Sequence, residues 1–245
     1  MKKKLVGIVG SYRKIGNAEI VAKAIGEKLG NEWNLSFIRL PQLRILPCKG
    51  CYACLQPGTS CNLQDDMAWL LERLCEADAL VFAAPNYILG PIGMIKMLTD
   101  RALQAMSYGT ALWKKRAVVA LTLGREEYRG YADTALTAQV AGLGLDVVGV
   151  ECFYGTHPGE VALASDFGEK IGRLSDALLG NERVGSTKIV AQDAFPTSFG
   201  PIPRASNARF VNLWPSARPM DPCISSFFTP NSLKWVRSSI SSGSK

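Results

Sequence analysis

The sequence predicts an α/β architecture, a doubly wound sheet of five parallel strands followed by an irregular C-terminal extension. Three observations lead there. Short apolar runs alternate strictly with segments of helical period from residue 4 to residue 179. The runs are almost wholly apolar, as in Leu80-Val-Phe-Ala-Ala84 and Val118-Val-Ala-Leu121, the pattern of strands buried on both faces. Beyond Gly180 the alternation gives way to Pro196, Pro201, Pro203, Pro215, Pro219, Pro222 and Pro230 among many serines, which sustain neither long helices nor central strands.

The elements follow in order. Lys4–Val9 is the first strand and Asn17–Leu29 the first helix, which Asn17 can cap and Gly30 can end in the left-handed conformation. Leu35–Leu40 is the second strand. Asp65–Glu76 is the second helix, with the negative charge of Asp65 and Asp66 at its start. Ala79–Ala84, Ala117–Leu123 and Val147–Phe153 supply the other strands, and Ile92–Met106, Tyr131–Leu143 and Val161–Leu179 the other helices. Alternation of this kind needs right-handed crossovers whose helices cover both faces of the sheet. The chain therefore divides into a domain, 1–180, and an extension, 181–245.

Charge and composition narrow the function. The 245 residues are 47% apolar and 20% charged, with a formal net charge of +7. Of that charge, residues 181–245 carry eight Lys and Arg against three acidic residues, so the folded part is nearly neutral. With no basic stripe and no recognised module, nucleic acid is not an expected partner. The start, Met1-Lys-Lys-Lys, imitates a signal peptide, but the apolar run after it is short and enters Arg13 and Lys14. No run approaches the ~20 residues of a membrane helix, so a cytoplasmic protein is expected.

The first strand ends in Gly10-Ser-Tyr-Arg-Lys-Ile-Gly-Asn17. Helix-start amides, the Ser11 hydroxyl, the Asn17 amide and the Arg13 charge can converge there on an anion. The loop has neither the three-glycine dinucleotide spacing nor the Walker lysine. The third strand leads into Pro85-Asn-Tyr-Ile-Leu-Gly90, and the following helix carries Lys96, Asp100 and Arg101.

With these segments, residues 4 to about 179 resemble the NAD(P)H-dependent FMN reductase branch of the flavodoxin-like superfamily. Its pattern reads Gly-Ser-Pro-Arg-Lys-x-Gly-Asn-Thr, then Pro-x-Tyr, then Gly-x-x-Lys-x-x-x-Asp-Arg. Ser11, Arg13, Gly16, Asn17, Pro85, Tyr87, Lys96, Asp100 and Arg101 fit, whereas Tyr12 replaces the usual proline and Ala18 a hydroxyl residue. The resemblance implies a flavodoxin-like sheet of order 2-1-3-4-5. It also implies FMN, with its phosphate on Ser11, Arg13, Gly16, Asn17 and Ala18. Pro85, Asn86, Tyr87, Ile88, Leu89 and Gly90 then line the isoalloxazine, and the loop from Thr122 through Gly124 to Arg125 closes its other side. The expected place is the carboxyl edge of the sheet, at the switch point between strands one and three.

Four of seven cysteines, Cys48, Cys51, Cys54 and Cys61, fall within one short loop with spacings of two, two and six. Three close thiolates and a fourth can ligate one cubane. The motif is similar to that of the iron-sulfur flavoproteins, which implies a 4Fe-4S cluster. Cluster-free relatives carry a similar loop ahead of an Asp-Asp-Met helix, as in Asp65-Asp-Met67, and a four-cysteine zinc site is chemically possible, so free thiols and zinc stay open. Cys75, Cys152 and Cys223 are not expected ligands, and His157 reads as a solvated loop residue.

A flavin carries the chemistry itself, so no catalytic acid–base pair is expected. The sequence thus reads as an FMN-dependent oxidoreductase passing electrons between FMN and a 4Fe-4S cluster. The alternative is a cluster-free NAD(P)H-dependent FMN or quinone reductase. Tyr87 is expected to stack on the ring, and Arg125, with Arg129 and the Glu126-Glu127 pair, reads as a solvated loop, although its charge could attract an anionic cofactor such as NADPH. Ferredoxin or NAD(P)H is the expected donor, and the resemblance implies a homodimer or homotetramer.

Overall fold

A computed structural model of the chain describes residues 2–185, apart from 57, 58, 109 and 182. Most of the expected extension, 181–245, and Cys223 with it, lies outside the described residues.

The strands are β1 (Lys3–Val9), β2 (Trp33–Arg39), β3 (Ala79–Tyr87), β4 (Gly90–Pro91), β5 (Arg116–Leu123) and β6 (Asp146–Tyr154). Five of them form a parallel sheet in the order β2-β1-β3-β5-β6, and β4 pairs antiparallel with the end of β3. The order matches the expectation once the short hairpin strand β4 is counted. The helices are α1 (Asn17–Leu29), α2 (Met67–Glu76), α3 (Gly93–Thr99), α4 (Ala102–Ala105), α5 (Ala132–Ala141) and α6 (Phe167–Leu179).

Side-chain alternation splits the core in two. On β3, Leu80, Phe82 and Ala84 enter one layer with Leu70, Leu74, Ile95 and Leu136. Ala79, Val81 and Ala83 enter the other with Val21, Ile25, Leu174 and Leu178. Both faces of β3 are thus dry, which is why its sequence is apolar throughout. Close approach requires glycine in places: a Cβ on Gly26 of α1 would lie 2.4 Å from Leu35 Cδ2 on β2.

Four expectations need correction. The helix 92–106 breaks into α3 and α4, because the Arg101 amide turns back to the Leu98 carbonyl at 3.1 Å while its side chain plunges into the interior. The segment 161–179 is a short 3₁₀ turn, Glu160–Leu163, and then α6, whose N-cap is Asp166. Asn17 does not cap α1. Gly16 holds the N-cap position, and the Asn17 side chain reaches sideways instead. Gly30 ends α1 at φ 80° and ψ −168°, a positive-φ conformation other than the left-handed helical one.

Candidate functional site

Four loops meet at the carboxyl edge. The first, residues 10–16, hands β1 to α1. Ser11 is buried, and its Oγ accepts the Arg13 amide at 3.2 Å. A Cβ on Gly16 would sit 3.1 Å from Arg13 Cβ, 3.2 Å from Arg13 O and 3.3 Å from Ser11 Oγ, so the cradle is as tight as glycine allows. Among the described residues no side chain caps α1, which leaves the Asn17 and Ala18 amides and the positive end of the helix dipole for an anion, the Glu19 amide being bonded to Gly16 O. The Ala18 methyl is buried in the core, so only its backbone faces this turn.

Glu19 holds the loop from behind. Its Oε2 accepts the amide of Ile15, a residue at φ 55°, at 3.1 Å, and Arg39 donates to both carboxylate oxygens at 3.2 and 2.7 Å. Burial raises the Glu19 pKa, but bonds from Arg39 and the Ile15 amide, with the charges of Arg39 and Lys23, hold it below the usual carboxylate range.

The second loop is the β3–β4 hairpin. Pro85 pairs with Thr122 inside the sheet. Asn86 Nδ2 donates to the Tyr128 carbonyl at 2.5 Å, while its Oδ1 is buried with no partner among the described residues. Ile88 and Leu89 form the two-residue turn at φ 47° and 63°, and Ile88 is 95% exposed. Positive φ at both positions is the geometry for which Asn-Gly is preferred, and a β-branched residue there is strained. Tyr87 and Leu89 are also exposed.

The third loop, 124–131, closes on the second. The Tyr131 amide donates to Leu89 O at 3.1 Å, and a Cβ on Gly130 (φ 52°) would meet Leu89 Cβ at 2.6 Å. Arg125 is exposed at this rim. The fourth loop, 155–160, closes on the first. Asn17 Nδ2 donates to Gly155 O at 3.0 Å, Asn17 Oδ1 accepts the Gly159 amide at 2.9 Å, and Arg13 Nη1 donates to Thr156 O at 3.2 Å. Glu160 Oε2 accepts the Thr156 and His157 amides at 2.5 and 2.8 Å, and His157 itself is exposed.

The cysteine loop leaves the same edge through β2. Cys48 and Cys51 are exposed, Cys54 and Cys61 half-buried, and all four are free thiols. They line one cavity of about 170 Å³ with Arg101 and Gln104. Burial, and next the nearby Cys61, with Cys48 and Cys51 further contributing, pushes the Cys54 thiol up. Among the described residues, no three His, Cys, Asp or Glu side chains stand close enough to hold a single metal ion. Two ties fix the ends of the loop: the Leu46 amide donates to Asp65 Oδ2 at 2.8 Å and the Arg44 amide to Asp66 Oδ2 at 2.7 Å. Asp65 is ion-paired with Arg101 in the interior; burial raises its pKa, but the Arg101 bonds and the Leu46 and Met67 amides hold it below the usual range.

Residues 3–157 match the family model for NADPH-dependent FMN reductase. The chain belongs to that family. An iron-sulfur flavoprotein of Archaeoglobus fulgidus is 33% identical over 177 residues, 69% of this chain and 78% of that one. Another, from Methanosarcina thermophila, is 32% identical over 134 residues, 54% of this chain and 68% of that one. Among solved structures, an NAD(P)H:quinone oxidoreductase from Methanothermobacter marburgensis superposes with a TM-score of 0.53 at 18% identity, covering 73% of this chain and 96% of that one. That likeness, and a similar one to the Trp repressor binding protein of Bacillus subtilis (TM-score 0.52, 19% identity, 69% and 96% coverage), bears on the fold. This member of the FMN reductase family is a flavin-dependent oxidoreductase with a flavodoxin-like fold, and no helix among its described residues is long and apolar enough to cross a membrane.

For an FMN reductase, the edge offers suitable parts: helix-start amides beside a glycine cradle, and the buried Asn86 acceptor, which has no partner among the described residues. Sequence reasoning brings Ser11, Arg13, Gly16 and Asn17 to one turn and Pro85–Gly90 to the next. It does not find Glu19, Arg39, Gly130, Gly155 or Gly159. Only Glu19 leaves a local signal, an acid three residues after the N-cap as in a capping box, here reaching one residue further back.

Proposed function

We propose that the protein is an iron-sulfur flavoprotein that passes electrons between FMN and a 4Fe-4S cluster. The observation that carries this reading is the placement of four thiols around one cavity, in a loop that leaves the flavin edge of the sheet. Cys48, Cys51, Cys54 and Cys61 would hold the cluster. A cubane takes one cysteine per iron, which matches the four thiols at the cavity.

Ser11, Arg13, Gly16 and the backbone amides of Asn17 and Ala18 would hold the FMN phosphate, the Asn17 side chain being bonded to Gly155 and Gly159. Pro85, Asn86, Tyr87, Ile88, Leu89 and Gly90 would flank one side of the ring, with Thr122 and Gly124 on the other. FMN supplies one- and two-electron chemistry when bound, which suits it to couple a two-electron donor to a one-electron cluster. The protein's share is orientation and exclusion of water: the 85–90 and 124–131 loops lock together through Leu89, Gly130 and Asn86, while the 10–17 and 155–159 loops lock through Asn17.

Ferredoxin or NAD(P)H would donate the electrons, in a cytoplasmic homodimer or homotetramer, with 181–245 as an irregular C-terminal extension. A second reading, a cluster-free NAD(P)H-dependent FMN or quinone reductase, is favoured by the family match. Cys61→Ala decides between them: under the cluster reading it abolishes the broad visible band and leaves FMN bound. An unchanged spectrum contradicts that reading.

A further inference from the structure

One buried cation is left over by the flavin and cysteine assignments. Arg101 sits in the break between α3 and α4 and is 2% exposed. Its Nη1 donates to Leu46 O at 3.1 Å and to the Asp65 carboxylate. Its Nη2 donates to Gln104 Oε1 at 2.7 Å, to Asp65 Oδ1 at 3.2 Å and to Cys61 Sγ at 3.4 Å. Its Nε is buried with no partner among the described residues. The side chain also lines the cavity of the four thiols.

This inventory does not balance for a purely structural ion pair. Asp65 already compensates the charge, yet one donor is spent on a sulfur and another is orphaned, which is costly in a dry interior. A neutral thiol is a weak acceptor, whereas a thiolate accepts a charge-assisted bond. The arrangement is therefore built for an anionic, sulfur-rich occupant of the cavity.

We infer that Arg101 is the positioning residue of the iron-sulfur site: it fixes Cys61 as the distant fourth ligand and stabilises the more negative, reduced state of the cluster. This rests on the cluster reading above. It adds that one guanidinium sets both the closure of the site and its potential, since hydrogen bonds to the sulfurs and local charge tune such clusters. The partners of Arg101 all lie within residues 46–104 and include no flavin-loop residue, so the flavin couple is an internal control.

The test uses full-length protein purified without oxygen, titrated with dithionite and followed by electron paramagnetic resonance, with iron and FMN measured on each sample. Two variants are compared with wild type: Arg101→Lys, and the neutral pair Asp65→Asn/Arg101→Gln, which leaves no uncompensated buried carboxylate. In the neutral pair the expected result is full FMN, with either loss of iron or a reduced-to-oxidised cluster ratio about tenfold lower at fixed poise. Tenfold is a downward shift of 59 mV for a one-electron couple. Arg101→Lys keeps the charge but not the fork, and it is expected to fall between the two. A neutral pair that keeps full iron and the wild-type potential overturns the inference, as does the same result in Arg101→Lys should the pair fail to fold. Wild-type protein that binds FMN and no iron defeats the cluster reading itself, a distinguishable outcome.

Discussion

Replacing Glu19 by glutamine tests the phosphate turn most sharply, because the change preserves shape and removes one charge. The wild-type carboxylate is nearly dry, at 3% side-chain exposure, and accepts Arg39 through two nitrogens together with the Ile15 amide. Hydrogen bonds to charged groups contribute about 1.5–3 kcal/mol. The glutamine side chain keeps one acceptor oxygen and leaves Arg39 short of its counter-charge, so the expected cost is about 2 kcal/mol. If about 1.4 kcal/mol of that falls on the Ile15 turn, FMN binding weakens roughly tenfold. Urea midpoints of apo-protein read the first quantity and fluorescence titration with FMN the second. The pH dependence gives an independent sign. A carboxyl held below 4.5 in the folded state contributes stability above that value, lost as pH falls through the folded pKa. The acid limb of stability below pH 4.5 is therefore flatter in Glu19→Gln. An unchanged midpoint, affinity and acid limb would refute the idea that Glu19 clamps the loop.

Two more substitutions and one labelling experiment probe the same framework. Ile88→Gly relieves a β-branched residue at φ 47° and is expected to stabilise the apo-protein by about 1 kcal/mol, raising Tm by about 2–4 °C, while FMN affinity falls; a lower Tm would count against strain in the turn. Gly130→Ala drives a Cβ to 2.6 Å from Leu89 Cβ in a positive-φ position and is expected to cost about 2–4 kcal/mol in urea unfolding; a cost under about 0.5 kcal/mol would mean that the two loops do not lock as described. Burial pushes the Cys152 thiol up to about 11, so at pH 8 its alkylation is expected to run roughly a hundredfold slower than that of an ordinary thiol; rapid labelling at Cys152 in a mass map would contradict its environment.

The layout of the sheet is legible because its strands are buried on both faces, so apolar runs such as Leu80–Ala84 mark them without ambiguity. The hairpin strand β4 is not legible: two residues carry no period, and Ile88-Leu89 is the wrong chemistry for the turn it makes. The break at Arg101 is hidden because helical periodicity continues through it, and only the buried network of Asp65, Gln104 and Leu46 pulls the chain aside. At the candidate site, glycine and short polar residues reveal the first turn. The fourth loop stays hidden because Asn17 and Gly155 are brought together by the sheet order rather than by sequence. Glu19 has only its place in the first turn of α1 as a signal, and its burial depends on Arg39, at the end of the neighbouring strand, closing over it.

The most direct test of the central claim is the iron and flavin content of full-length protein purified without oxygen, with its absorption spectrum before and after reduction. An iron-sulfur flavoprotein should give about four irons per FMN and a broad visible band that bleaches on reduction. FMN bound without iron, and a spectrum of flavin alone, would contradict it.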